Sequence, residues 1–188
     1  IHNKRDNAIP ELVDQLKDLS IKLGIPNAQF KLELNLKEEF FVNGSDELIF
    51  LFSANKGANL NTLKKTASGG ELSRIMLAIK YILSSHIQLP TIMFDEIDSG
   101  VSGEISNMMG EIMHKMSKTM QVFTITHLPQ IAAKGDVHFK VFKEDVNEET
   151  ITRLVRLNQD DRIVEIAQML GGDKMTDSAV LHAKSLLQ

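Results

Sequence analysis

Cysteine is absent from the 188 residues, which excludes disulfides and cysteine-ligated zinc. The six histidines include no pair at a metal-ligand spacing such as i, i+4. Apolar runs long enough to span a bilayer are missing, as is a signal-peptide pattern at the start, so no membrane partner is expected. An excess of positive charge is missing too. A formal net charge of -4 and a pI near 5.9 argue against a strongly basic nucleic-acid-binding surface. No Gly-x-x-x-x-Gly-Lys-Ser/Thr loop occurs anywhere, so the common backbone cradle for a nucleoside triphosphate is not encoded. Internal repeats and low-complexity segments are also lacking. A chain opening on Ile1 rather than methionine is expected to be a fragment or a processed chain.

What is present has ordinary globular usage, 43% hydrophobic and 24% charged, over a length that suits one domain or one large lobe with a real core. The chain is organised around Ala67-Ser68-Gly69-Gly70-Glu71-Leu72-Ser73-Arg74. Leu72, Ile75, Met76, Ile79, Ile82 and Leu83 follow at the spacing of an amphipathic helix. Ser68 can cap that helix, and the two glycines remove side chains that would hold a ligand away from the backbone amides. A helix start with bare amides is an anion site, most often for phosphate.

Downstream, Thr91-Ile92-Met93-Phe94-Asp95-Glu96-Ile97-Asp98 reads as a short apolar, buried strand ending in two adjacent carboxylates. Paired carboxylates at the edge of a core repel and desolvate each other. A magnesium ion and a triphosphate explain them, the first carboxylate reaching the ion through water and the second polarising the attacking water. Residues 121–126 form a second apolar, buried strand that closes on His127. If the two strands are parallel, Asp95, Glu96 and His127 open on one crevice at the strand ends, with His127 near a γ-phosphate.

The rest is read as support. Residues 9–23 carry a helical stripe, with Pro10 acceptable only in a first turn and Gly24 and Pro26 as stops. This helix is either packed on the domain or the stump of a longer helical arm. Phe30, Leu32, Leu34 and Leu36 alternate with polar residues as a strand with one wet face. Asn43-Gly44-Ser45-Asp46 is a turn, and 48–52 is an interior strand antiparallel to the first. Residues 53–65 are loop. Val101, Ile105, Met108, Met109, Ile112, Met113 and Met116 mark a helix whose methionines are adaptable core. Strands at 137–142 and 150–157 flank an acidic turn over 144–149. Helices follow at 160–170 and 177–187, the last with Val180, Leu181, Lys184 and Leu187 on one side.

Taken in order, Ser68-Gly69-Gly70-Glu71 opening a helix, a strand ending Asp95-Glu96, then Asp98-Ser99-Gly100, then a strand ending Thr126-His127 resemble the C-terminal half of an ABC-type ATPase head. The matching positions there are the signature motif, Walker B, the D-loop and the switch histidine. The longer strings, from Ala67 to Arg74, from Phe94 to Gly103 and from Ile125 to Gln130, are similar to a bacterial DNA-repair group of SMC-like ATPases within that family, which acts in repair of DNA double-strand breaks. The likeness extends to residues 51–55 and 162–172. Lys56, where members often carry proline before Gly57, is a small departure that touches loop stiffness.

The resemblance implies an α/β fold, the C-terminal half of an ABC/SMC-type P-loop ATPase head, with a mixed sheet, flanking helices and a leading helix at the end of a coiled coil. Residues 1–24 would be that helix and 25–188 the lobe. The Walker A half lies far upstream in such proteins, across a long coiled coil, so this chain alone is expected to be inactive. Asp95 would assist Mg2+, Glu96 would be the catalytic base and His127 would sense the γ-phosphate. Ser68, Gly69, Gly70 and Glu71 would bind ATP held by an opposing head, with Asp98 and Ser99 at the dimer seam. Implied partners are the N-terminal Walker A half, a second head in a homodimer, and DNA through the full-length protein, at a cytoplasmic, nucleoid-associated location. Two rivals are a non-hydrolysing clamp or assembly module, which has no physical need for Glu96 and His127, and a transporter subunit, which needs more room before Ser68 for its phosphate loop.

Overall fold

Changes of apolar period along the chain translate into thirteen elements among the residues that a computed structural model describes, 1–63, 68–101, 103–147, 149–172 and 175–188. They fall into two compact units, Ile1–Pro90 with Ile97–Met109, and Thr91–Glu96 with Gly110–Gln188.

The first unit begins with helix α1 (His2–Lys22), which packs on strand β1 (Gln29–Phe41) and on helix α2 (Gly69–Ser84). Leu16 and Leu23 are fully buried and Leu19 nearly so, each such burial worth about 1.5–3 kcal/mol. The helix starts well before residue 9, so Pro10 lies in its interior rather than its first turn, contrary to the sequence expectation. Proline there removes the bond to the carbonyl of Asp6. Asp6 is exposed, where water can satisfy that carbonyl. Strand β1 pairs antiparallel with β2 (Gly44–Ser53), as the alternation suggested, with Phe30 opposite Phe52 and Leu34 opposite Leu48. Both strands run longer than predicted. The register slips between Leu36 and Phe41, a bulge that the alternation does not carry.

β2 is interior in pairing, because a two-residue strand β3 (Asn61–Thr62) adds to its other edge within the stretch read as loop. Leu48 nonetheless remains 53% exposed. Lys64 and Lys65, at the end of that loop, lie outside the described residues. So do Ala67 and Ser102 of the quoted strings, Glu148 of the acidic turn, and Asp173 of the stretch before the last helix. In α2 the apolar stripe buries Ile75, Leu77, Ala78 and Ile82.

Helix α3 (Gly103–Met116) contributes to both units, and Met109, Ile112, Met113 and Met116 are buried, as core methionines should be. In the second unit, β4 (Thr91–Asp95) pairs in parallel with β5 (Gln121–Ile125). The two are not buried throughout, which corrects the sequence reading. Phe94 is buried, but Met93, Phe123 and Ile125 are 64%, 42% and 52% exposed. A short helix α4 (Pro129–Ala132), absent from the sequence reading, follows β5.

The hairpin β6 (Phe139–Val146) and β7 (Glu149–Arg156) takes the acidic segment into its ladder, leaving a tight turn at Asn147, whose φ is 49°. Thr150 and Arg153 bond Asp145 and Glu144, so cross-strand pairing draws these acids out of the turn. Helices α5 (Gln159–Gly171) and α6 (Asp177–Leu186) pack closely through Ile166, Ala167, Ala179 and Ala183. The small alanines set the buried face of α6. Leu181, which shares one side of the helix with Val180, Lys184 and Leu187, is 69% exposed.

Candidate nucleotide site

The start of α2 is a closed capping box. Ser68, in extended conformation, accepts at Oγ from the Glu71 amide at 3.3 Å, and the Glu71 carboxylate accepts from the Ser68 amide at 3.0 Å. A hydroxyl carries one hydrogen and two lone pairs, so accepting from Glu71 leaves the Ser68 proton for donation. The box satisfies the amides of Ser68 and Glu71, and general helix geometry leaves those of the next two positions, Gly69 and Gly70, without a partner inside the helix.

The two glycines differ. A Cβ at Gly69 would meet nothing within 4 Å, so this position is open to approach from outside. A Cβ at Gly70 would lie 3.1 Å from the Ser99 carbonyl oxygen and 3.5 Å from Arg74 Nη1. Gly70 therefore lets the helix start sit against the Asp98-Ser99 turn, joining two stretches far apart in sequence. Within that turn Asp98 is 1% exposed, Ser99 is exposed, and Gly100 has φ 72°. Arg74 sits one turn into the helix with a buried Nε that has no hydrogen-bond partner. Loss of water holds its guanidinium below the ordinary value, against the attraction of Glu71.

The second group of predicted residues stands at the ends of the parallel pair. Asp95, the last residue of β4, lies in register with Ile125 of β5, and the Glu96 amide donates to the Ile125 carbonyl at 3.1 Å. The carboxylate-bearing end of one strand thus adjoins the strand leading into His127, as parallel pairing requires. Asp95, Glu96 and His127 are all exposed. Glu96 has φ 47°, in the left-handed region that a residue with a Cβ rarely adopts. Such a conformation costs on the order of 1–3 kcal/mol and gathers at functional sites. Past β5, Thr126 Oγ1 accepts from the Leu128 amide at 3.0 Å, which turns the chain at His127.

Arg162, on α5, was given no role by the sequence beyond lying in the stretch that carried the resemblance. Its guanidinium donates to the carbonyls of Gly135 at 2.6 Å, Ala133 at 3.4 Å and Asp136 at 3.5 Å, tying down the segment after α4. Lys140 bonds Glu165 nearby. Burial, then the charge of Arg162, holds the neighbouring His138 below the ordinary histidine value, with Glu165 opposing.

Among the described residues no group of three or more His, Cys, Asp or Glu side chains could hold a metal ion, and no helix is long and apolar enough to cross a membrane. A single exposed carboxylate such as Asp95 fits Mg2+, which keeps several waters and is bound by one or two carboxylates plus substrate phosphates.

No family model matches the chain. Curated relatives are similar along nearly its whole length. The DNA repair protein RecN of Rickettsia typhi is 39% identical over 184 residues, covering 98% of this chain and 33% of the relative. RecN of Bacillus subtilis is 41% identical over 189 residues, covering 95% of this chain and 33% of the relative. RecN of Vibrio cholerae is 37% identical over 188 residues, covering 100% and 34%. The chain therefore spans about a third of the length of these relatives, in their C-terminal part.

Among solved structures, the Smc head domain with a coiled coil and joint derived from Pyrococcus yayanosii has a similar fold. Its TM-score is 0.65 at 20% identity, over 89% of this chain and 30% of that one. A structure from a study of ATP-driven dimerization and DNA-stimulated activation of SMC ATPases gives a TM-score of 0.59 at 18% identity, over 93% of this chain and 100% of that one. The mixed α/β fold is that of SMC head domains.

Proposed function

We propose, from the premise that this chain is a RecN-like segment of an SMC-type ATPase head, that it forms the C-terminal half of a head that binds and hydrolyses ATP in DNA double-strand break repair and recombination. Residues 1–24 are the returning end of a coiled coil, and 25–188 are the lobe with signature motif, Walker B, D-loop and switch histidine. The observation that carries this reading is the left-handed Glu96, beside Asp95, at the end of a strand parallel to the one leading into His127. A strained acid at the mouth of a parallel pair is costly without chemistry to perform.

Bound MgATP supplies the phosphoanhydride to be cleaved and neutralises charge on its oxygens. Asp95 would help hold the ion, and Glu96 would accept the proton of the attacking water. His127 donates to the γ-phosphate. Ser68, through its remaining hydroxyl proton, and the amides of Gly69 and Gly70 bind the γ-phosphate of ATP carried by an opposing head. Glu71 closes the cap that aims them, and Asp98 and Ser99 line the seam between heads. The exposed face of Met93, Phe123 and Ile125 supports an upstream partner, because parallel strands are normally covered on both faces. That partner is the Walker A half of the same protein. The full-length protein meets DNA, in the cytoplasm at the nucleoid.

The test uses a head reassembled from this chain and the upstream half. Glu96→Gln is expected to retain ATP binding and slow hydrolysis, trapping two closed heads that sediment as a dimer. Adding Ser68→Arg should leave the first binding step intact and abolish ATP-dependent dimerisation, since a long side chain fills the space for the γ-phosphate. A double variant that still dimerises on ATP as the single one does removes the phosphate role of Ser68. Loss of ATP binding in Glu96→Gln alone removes the base assignment.

A further inference from the structure

The tip of the β1–β2 hairpin carries three consecutive apolar residues in the open. Phe40 is 85% exposed, Phe41 46% and Val42 111%. Runs of exposed apolar residues are unfavourable unless something covers them. The place of the tip says what does. Helix α1 runs alongside β1, its buried Leu16 and Leu19 near its own end and the buried Phe30 and Leu32 near the start of the strand. The two elements are therefore antiparallel, and the beginning of α1 points towards the hairpin tip. It is fastened there. His2 Nδ1 and Arg5 Nη1 each lie 2.5 Å from the Asp46 carboxylate, and Arg5 Nη2 donates to the Asn43 carbonyl at 2.7 Å. From Asp46 the second strand continues through Ser45 and Gly44 to the turn, about 7 Å at about 3.3 Å per residue. The Arg5 guanidinium spans that distance, meeting Asp46 and the Asn43 carbonyl next to Val42, so the apolar tip stands beside the first turn of α1, where a helix continuing upstream would pass it.

We propose that the Phe40-Phe41-Val42 tip is the seat of the helical turns immediately upstream of Ile1. The relatives are about three times as long as the part this chain matches, so a segment to occupy the seat is expected in the whole protein. His2 and Arg5 fix the face of the helix turned to the hairpin, so upstream positions three to four and seven residues before His2 should be apolar. The docking rests on the reading of α1 as the end of a helical arm, and the experiment separates the two.

Amide exchange is followed in the full-length protein and in a Phe40→Ser, Val42→Ser variant. Both side chains are exposed, so folding does not depend on them. The turns upstream of Ile1 are expected to exchange at least tenfold faster in the variant, with the amides of α2 unchanged. Equal protection of those turns in both proteins overturns the docking and leaves the arm. Coil-like exchange there in the unaltered protein overturns the docking and the arm together. A loss of self-association in the variant, with upstream protection unchanged, gives the tip to a second copy and also overturns the docking.

Discussion

Glu96 holds a backbone conformation that suits glycine, and this can be separated from its chemistry. The left-handed region costs a residue with a Cβ about 1–2 kcal/mol, and φ 47° places Glu96 within it. Glu96→Gly should therefore be more stable than Glu96→Ala by about 1 kcal/mol, read as a difference in denaturation midpoint. Both variants should lose hydrolysis in the complete head to the same degree. Equal stability of the two would mean that the surroundings, and not the backbone, fix this residue. The sequence revealed the acid and its strand but not the strain, because φ is set by how the chain leaves β4 while its amide still bonds Ile125. The same division applies at Gly70. Its place in the motif was legible, but the nearby Ser99 carbonyl, 3.1 Å from where its Cβ would lie, comes from residues far along the chain.

Elements encoded by adjacent residues were read well, and elements depending on distant partners less so. Helix α2 with its capping box is local, since Ser68 and Glu71 lie three apart and the stripe follows at once. The ends of β4 and β5 were visible because apolar runs stop at charged or polar residues, while their parallel pairing, a condition in the sequence, comes from the structure. The start of α1 was missed because Pro10 normally marks a first turn, whereas here its lost hydrogen bond falls on an exposed stretch. The buried face of α6 is not marked in the sequence, because two alanines, weak signals in a stripe, allow the close approach of α5.

Nor did any pattern announce Asp46, buried on β2 and met by His2 and Arg5 from the other element. The His2 hydrogen bond first, and the Arg5 hydrogen bond and the two charges with it, hold its carboxyl below the ordinary 3.8 despite desolvation. A depressed carboxylate stabilises the fold fully above 3.8 and loses that contribution as pH falls through the folded value. Acid unfolding of the chain should therefore show a limb starting below 3.8 that Asp46→Asn flattens, with a lower midpoint at neutral pH. An unchanged acid limb in the variant would place the lost stability on other carboxylates.

At the scale of the whole molecule, the chain reads as part of a site and part of a sheet. The sequence has no phosphate cradle, and on the parallel pair Met93 and Phe123 stand level with each other, both exposed, with exposed Ile125 two residues further on. On the function proposed above, one upstream segment would supply both the cradle and the cover for this face. The isolated 188-residue chain should therefore show no multiple-turnover ATP hydrolysis, and adding the upstream part of the protein should restore it. Phe123→Asp tests whether the bare face is where the two parts join. Phe123 is already 42% exposed, so the substitution should leave the chain folded. A charge buried without a partner opposes association by several kcal/mol, so co-elution with the upstream part and ATP turnover should fall together. Turnover by the isolated chain that disappears in Glu96→Gln would show that these residues suffice without a cradle. Unimpaired assembly of the Phe123→Asp chain would move the joint to another surface.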